Sequence, residues 1–115
     1  MSSIGRFSLS TLLLMAALLG ATMTYAQHRE SAAAENLIRA IAVTHVEFIL
    51  IHPFREGNGR LSRLLADVMA VQAGYVPLDY SSWERNKEAY FAAISQGLNY
   101  NYEPMEYWVR QALWT

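Results

Sequence analysis

The segment from His52 to Arg63 combines side chains that can act on a phosphorylated ligand. The His52 imidazole can accept a proton near neutral pH, and Glu56 is a carboxylate of the kind that Mg²⁺ prefers. Residues 57–59 read Gly-Asn-Gly, a turn whose backbone N–H groups can converge on an anion where a helix begins. Arg60 and Arg63 are three residues apart, so a helix places both guanidinium groups on one face. Together these features predict a site for a nucleotide triphosphate.

Each of these residues also has a purely structural interpretation. A lone histidine after a helix is commonly a surface or capping residue, and an acidic loop residue is commonly solvated. Asn58 between two glycines suits a turn or a helix N-cap, and the two arginines suit an exposed helix face. Their combination within twelve residues favours phosphate binding over these separate explanations.

Residues 52–63 match every defined position of the pattern His-x-Phe-x-Asp/Glu-Gly-Asn-Gly-Arg-x-x-Arg. This pattern is the signature of the Fic (Fido) family, which the sequence therefore resembles. The resemblance extends over about residues 32–105, with a similar helix before the motif at 42–51 and a similar turn after it at 73–75. Members of the family transfer part of a nucleotide, most often AMP from ATP, onto a protein hydroxyl.

The resemblance implies a role for each residue of the motif. His52 is expected to act as general base on a Ser, Thr or Tyr hydroxyl that attacks the α-phosphorus of ATP. Glu56 is expected to hold Mg²⁺, or Mn²⁺ in its place, at the α- and β-phosphates. Arg60 is expected on the β-phosphate and Arg63 on the γ-phosphate. The expected phosphate-binding residues are Gly57, Asn58, Gly59, Arg60 and Arg63.

Five residues refine this expectation. Doc-type kinases resemble the pattern but carry lysine where this chain has Gly59, and they transfer the γ-phosphate, so glycine favours nucleotidyl transfer. Phe54 is predicted to be a core anchor that holds the motif loop rigid. His45 is predicted to be a buried, hydrogen-bonded core residue. Tyr90 and Gln96 lie roughly where the family builds its adenine pocket.

The composition is compatible with this reading and excludes several other classes of protein. The chain has 115 residues and a mass of 13.0 kDa, which predicts one domain with a modest core. A net charge of −1 and a pI near 6.3 do not indicate a basic surface of the kind that binds nucleic acid. Because it has no cysteine, the chain has neither a disulfide scaffold nor a thiolate metal site.

The helical pattern predicts an all-α fold, a small helical bundle. Ser31 is the expected N-cap of a helix that runs to the motif and is ended by Pro53. A second helix is expected from about Asn58, with Gly74 as its C′ residue. The side chains expected to face inward on that helix are Leu61, Leu64, Leu65, Val68 and Met69.

Two further helices are predicted after Pro77. Ser81 and Glu84 form a capping-box pattern that opens a third helix, which ends near Gly97. Pro104 suits the first turn of a last helix.

The first 26 residues allow two interpretations. Residues 7–26 are uncharged, and their apolar run followed by Thr24-Tyr25-Ala26 resembles a signal peptide or a membrane anchor. In the Fic family, however, a flap strand and a helix precede the motif helix, and residues 6–10 lie where the flap ends. We favour the flap and a core helix, which predicts one N-terminally short domain over residues 1–115 in the cytoplasm, where ATP is available.

Residues 31–36 also match the family's autoinhibitory pattern, Ser/Thr-x-x-x-Glu-Gly/Asn, whose glutamate blocks an arginine of the phosphate site. At about 1.5 Å of rise per residue, a helix places Glu35 roughly 25 Å from His52. We therefore interpret Glu35 as an acidic residue in the first turn of the helix, and we expect no autoinhibition within the chain.

The predicted function is Mg²⁺-dependent transfer of AMP from ATP to a hydroxyl of a target protein. Three alternatives remain open: an inactive fragment that binds nucleotide or a partner protein, a Doc-like kinase, and an exported or membrane-tethered interaction domain. The expected partner is a protein with an accessible hydroxyl residue, and an inhibitory antitoxin-like partner is a further option. The sequence does not name the target.

Overall fold

The computed structural model describes residues 8–113, and within this range every regular element is helical. The helices are α1 (Leu9–Ile51), α2 (Asn58–Gln72), α3 (Ser81–Arg85), α4 (Lys87–Gln96) and α5 (Glu103–Leu113), with a 3₁₀ helix at Gly97–Asn99. Residues 8–113 contain no strand, so the predicted all-α fold is confirmed. No helix in this range has the length and hydrophobicity needed to cross a membrane.

The backbone divides into two compact units, the first ending at Ala34 and the second beginning at Glu35. In the first unit the Ser8 hydroxyl accepts the Thr11 N–H at 3.2 Å, as an N-cap side chain does. Helix α1 begins at the next residue, Leu9. The flap strand predicted over residues 6–10 is therefore wrong at 9 and 10, while residues 6 and 7 lie outside the described part of the chain.

Helix α1 continues through Ser31, so the N-cap predicted there is wrong. The reason is that capping preference alone does not start a helix. Residues 32–34 are alanines, the best helix formers, and no proline or glycine lies between residues 21 and 52. The predicted end is correct, because the helix stops at Ile51, two residues before Pro53.

The second unit is built around the last part of α1 and helix α5. Ile38, Ile41 and Val46 of α1 and Met105 and Val109 of α5 are at most 1% exposed and belong to one apolar cluster. Burying each such side chain contributes about 1.5–3 kcal/mol. The α1 and α5 helices therefore supply much of the hydrophobic core.

Two ion pairs also join α1 to α5. Arg39 Nη1 lies 2.9 Å from Glu106 Oε1, and Arg110 Nη2 lies 2.7 Å from Glu35 Oε2. Both pairs are partly exposed to solvent, so they contribute little to stability.

Helix α2 turns a different face inward from the one predicted. Its buried residues are Asn58, Ser62, Ala66 and Ala70, spaced four residues apart. Leu61, Leu64, Leu65 and Val68 are 36–57% exposed, so the prediction for these four is wrong, whereas Met69 packs against the core. Asn58 turns this face towards the motif loop, because its side chain bonds to the Phe54 backbone, while the Ser62 hydroxyl bonds within the helix to the Gly59 carbonyl.

This rotation predicts opposite effects for two substitutions on α2. Ala66 is 2% exposed, so Ala66→Leu is expected to overpack the core and to lower the free energy of unfolding by about 1–3 kcal/mol. Leu64 is 57% exposed, so Leu64→Gln is expected to change it by less than about 0.5 kcal/mol. Urea unfolding followed by circular dichroism measures both values. A larger loss for Leu64→Gln than for Ala66→Leu would show that the leucine face is the inner one.

The helix after the α2 turn is interrupted. One helix was predicted here, but Asn86 interrupts it and divides it into α3 and α4. Ser81 is not the cap, because it is already the first residue of α3 and Tyr80 occupies the N-cap position, with no side-chain cap bond. The other predicted turn residues are confirmed: Gly74 has a φ of +92° at the end of α2, and α5 begins one residue before Pro104.

Candidate functional site

His52 follows the last residue of α1 and has a φ of +53°. Its N–H donates to the Phe48 carbonyl at 3.0 Å, so its backbone closes the helix while its side chain is exposed. A non-glycine residue in the left-handed region is uncommon and stores strain, and such residues concentrate at functional sites. The conformation turns the chain at the helix end and leaves the imidazole accessible.

The loop between His52 and α2 is held by the Asn58 side chain. The Phe54 N–H donates to Asn58 Oδ1 at 3.0 Å, and Asn58 Nδ2 donates to the Phe54 carbonyl at 2.6 Å. Asn58 is buried, so this amide pair fixes the loop. The ring of Phe54 is 53% exposed and contacts Phe48 at a centroid distance of 6.5 Å. The prediction that Phe54 anchors the loop in the core is wrong for the ring, because its backbone makes the anchoring bonds.

The start of α2 offers backbone donors. Gly57 is the N-cap, with a φ of +80° and no side-chain cap bond. The first N–H groups of a helix have no partner within the helix, so those of residues 58–60 can bind an anion, aided by the helix dipole. A Cβ on Gly59 would meet no atom within 4 Å. The fold itself therefore tolerates a side chain at this position, and any need for glycine comes from a ligand.

Arg60 and Arg63 lie one turn apart on α2, as predicted. Arg60 is exposed, whereas Arg63 is half-buried with its Cζ 5.9 Å from the centroid of the Tyr80 ring. Glu56 is an exposed carboxylate in the loop before the helix. In residues 8–113 no group of three His, Cys, Asp or Glu side chains is placed to hold a metal. One carboxylate fits a Mg²⁺ ion that is also bound by phosphate oxygens and water, as is common for this metal.

A cavity of about 360 Å³ opens beside Arg63, and Arg60 does not line it. Gly59, Arg63 and Tyr90 line it. Gln96 does not line it, because its side chain instead accepts a bond from Asn101 Nδ2 at 3.3 Å. The remaining lining residues are Ile49, Trp83, Glu84, Lys87, Phe91, Ile94 and Ser95.

Trp83 is the principal residue of this cavity that the sequence pattern did not reveal. Its ring is stacked on Tyr90 at a centroid distance of 4.9 Å, and its Nε1 donates to the Trp108 carbonyl at 2.8 Å. Trp83 and Tyr90 are seven residues apart in sequence, about two helical turns, but they lie in the separate helices α3 and α4. The sequence feature that could have indicated this aromatic wall is the group of aromatic residues at 80, 83, 90 and 91.

A match to a known protein family covers α1, the motif loop and most of α2. The model of the Fic/DOC family matches residues 7–70, which is more than half of the chain. The chain belongs to the Fic/DOC family.

Several curated Fic/DOC relatives are similar to part of the chain. The protein adenylyltransferase Fic of Drosophila yakuba is 41% identical over 54 residues, which are 47% of this chain and 11% of that protein. The protein of the same name from Culex quinquefasciatus is 42% identical over 50 residues, 44% of this chain and 10% of that one. This chain thus spans about a tenth of the length of these relatives. No solved structure matches the chain.

His45 of this Fic/DOC chain is buried, as predicted. Its Nε2 and the Tyr90 hydroxyl are hydrogen-bonded at 2.6 Å, and its ring meets Trp83 edge-on at 4.9 Å. Burial lowers the pKa of His45 to about 4; the nearby Arg63 charge also lowers it, and the Ser62 backbone partly offsets the shift. His45 is therefore neutral at physiological pH and supports the wall of the cavity.

Glu35, the glutamate of the autoinhibition-like pattern, is paired with Arg110 at 2.7 Å. It lies 16 residues before Ile51 in one continuous helix, so roughly 24 Å separate it from the motif end of α1. It is not the first-turn acid that we predicted, because the helix begins at Leu9.

Proposed function

We propose that this chain carries the catalytic residues of an enzyme that transfers AMP from ATP to a Ser, Thr or Tyr hydroxyl of a target protein. One observation supports this most strongly. Gly59 at the start of α2 and the half-buried Arg63 border the same cavity as Trp83 and Tyr90. Phosphates at the helix start and a base against the aromatic residues fit this arrangement.

In the proposed reaction, the His52 imidazole accepts the proton of the hydroxyl as its oxygen attacks the α-phosphorus. The bond between the α-phosphorus and the bridging oxygen breaks, and pyrophosphate leaves. The N–H groups at the start of α2 bind the α-phosphate, with Arg60 on the β-phosphate and Arg63 on the γ-phosphate. Glu56 would hold Mg²⁺ or Mn²⁺, which neutralises phosphate charge.

Asn58 has a double role in this proposal. Its side chain holds the loop through Phe54, and its backbone N–H and second amide hydrogen remain to bind the α-phosphate. Lys87 and Ser95 border the cavity and offer polar contacts to a base. Of the two residues expected in an adenine pocket, only Tyr90 is retained in the proposal.

The proposal is tested by following label from two positions of ATP. The full chain is incubated with a cell lysate and Mg²⁺, with ATP labelled at either the α- or the γ-phosphate. We expect the α-label to enter protein in amounts that require the chain. We expect the chain to add no γ-label beyond what the kinases of the lysate incorporate without it. The control is the same chain with Gly59→Lys, which brings in the residue of the Doc-type kinases and should lower the α-transfer. Transfer of the γ-label alone by the native chain would favour the kinase alternative.

A further inference from the structure

Tyr80 lies at the N-cap of α3 and reaches back to α2. Its hydroxyl is 2.7 Å from Asp67 Oδ1 and 2.8 Å from the Arg63 carbonyl oxygen, so it can donate its proton to either acceptor. The Asp67 oxygen also accepts the Leu78 N–H at 3.0 Å. Asp67 therefore ties both the Tyr80 side chain and the preceding loop to helix α2.

The ring of Tyr80 is held from two sides. Buried Trp83 meets the Tyr80 ring edge-on at a centroid distance of 4.8 Å. The Arg63 guanidinium lies over the same ring, with its Cζ 5.9 Å from the ring centroid. A guanidinium at this distance is attracted by the ring. Burial, followed by the Asp67 hydrogen bond, raises the pKa of Tyr80, so its hydroxyl remains a donor.

We propose that Asp67 and Tyr80 are positioning residues that hold Arg63 in the orientation that binds the terminal phosphate. The proposal rests on the nucleotide site described under the proposed function, because Arg63 borders that cavity. Asp67 and Tyr80 touch no reacting atom and act only through Arg63. Arg60 is exposed, so Arg63 is the arginine whose orientation this pair fixes before ATP binds.

The first test compares nucleotides that differ in their terminal phosphate. Isothermal titration calorimetry with Mg·ATP and with AMP is carried out on the native chain and on Tyr80→Leu. We expect Tyr80→Leu to weaken ATP binding about 2- to 30-fold, the range of a cation–π contact, and to leave AMP binding unchanged. Tyr80→Phe keeps the ring and is expected to lose less. Tyr107→Leu is the matched control, since Tyr107 is an exposed tyrosine on α5 and should change neither affinity.

The second test needs no nucleotide. Side-chain NMR relaxation of the arginine Nε–H groups is expected to show Arg63 more ordered than Arg60 in the native chain. In Tyr80→Leu and in Asp67→Asn, the order of Arg63 should fall to that of Arg60. Equal order of the two arginines in the native chain overturns the proposal, as does a folded Tyr80→Leu in which Arg63 stays ordered. If the native chain binds no ATP while Arg63 behaves as expected, the proposed function fails and with it the phosphate-binding role of Arg63, and only the ordering of Arg63 by Tyr80 and Asp67 is supported.

Discussion

Replacing His52 by asparagine is expected to abolish AMP transfer while the chain stays folded and binds Mg·ATP within a few-fold of the native affinity. In the proposed reaction His52 acts on the hydroxyl and not on the phosphates. Losing a general base typically costs about 10²- to 10⁴-fold in rate. Incorporation of α-label measures the rate, and calorimetry measures ATP binding. Transfer at the native rate by His52→Asn would show that His52 is not the general base.

The choice of asparagine follows from the backbone. His52 has a φ of +53°, a region that asparagine and glycine adopt more readily than alanine. His52→Ala is therefore expected to melt at a lower temperature than His52→Gly, although both lack the imidazole. Because of this strain, an inactive His52→Ala could reflect a disturbed loop, and the asparagine variant separates that effect from the chemistry.

The motif could be read from the sequence because its parts are local. Pro53 ends α1 near its predicted place, Asn58 begins α2, and Gly74 has the positive φ expected after it. Each of these follows from the backbone preference of one residue and its immediate neighbours. The order of His52, the loop, the helix start and the two arginines is likewise fixed along the chain.

The rotation of α2 and the cavity could not be read in the same way. Hydrophobic periodicity predicted the leucine face as the inner one, but the small-residue face is buried, and Asn58 on that face is bonded to the motif loop. The cavity combines side chains from four helices, so only tertiary packing brings Trp83 beside Arg63. The Ser31 cap failed because the flanking residues favour the helix more strongly than one serine interrupts it.

The core and the candidate site share the same side chains. Buried His45 bonds to Tyr90, Tyr90 stacks on Trp83, and Trp83 meets Tyr80, which lies under Arg63. A change in the charge of His45 would therefore act on both the packing of α1 against α4 and the wall of the cavity. This connection makes the protonation of His45 the most informative test of the buried network.

Acidification is expected to destabilise the chain through His45. Its folded pKa is about 4, below the ordinary value of 6.5 that it regains on unfolding, so the unfolded chain binds the extra proton first. The stabilising contribution of neutral His45 is complete above pH 6.5 and is lost as the pH falls from there towards 4. The free energy of unfolding should drop by about 2 kcal/mol between pH 7 and pH 5.

Urea unfolding at a series of pH values measures this loss, and two variants isolate its source. His45→Gln removes the titrating group but keeps a hydrogen-bonding side chain near Tyr90, so its stability should be lower at pH 7 and much less dependent on pH. His28→Gln serves as the control, because His28 is exposed on α1 and should leave the native pH dependence in place. If the His45 and His28 variants lost stability with the same slope as the native chain, a group other than His45 would govern the acid response. A slope that disappears only in His45→Gln would instead tie the acid sensitivity of the fold to the side chain that supports Tyr90 and the cavity wall.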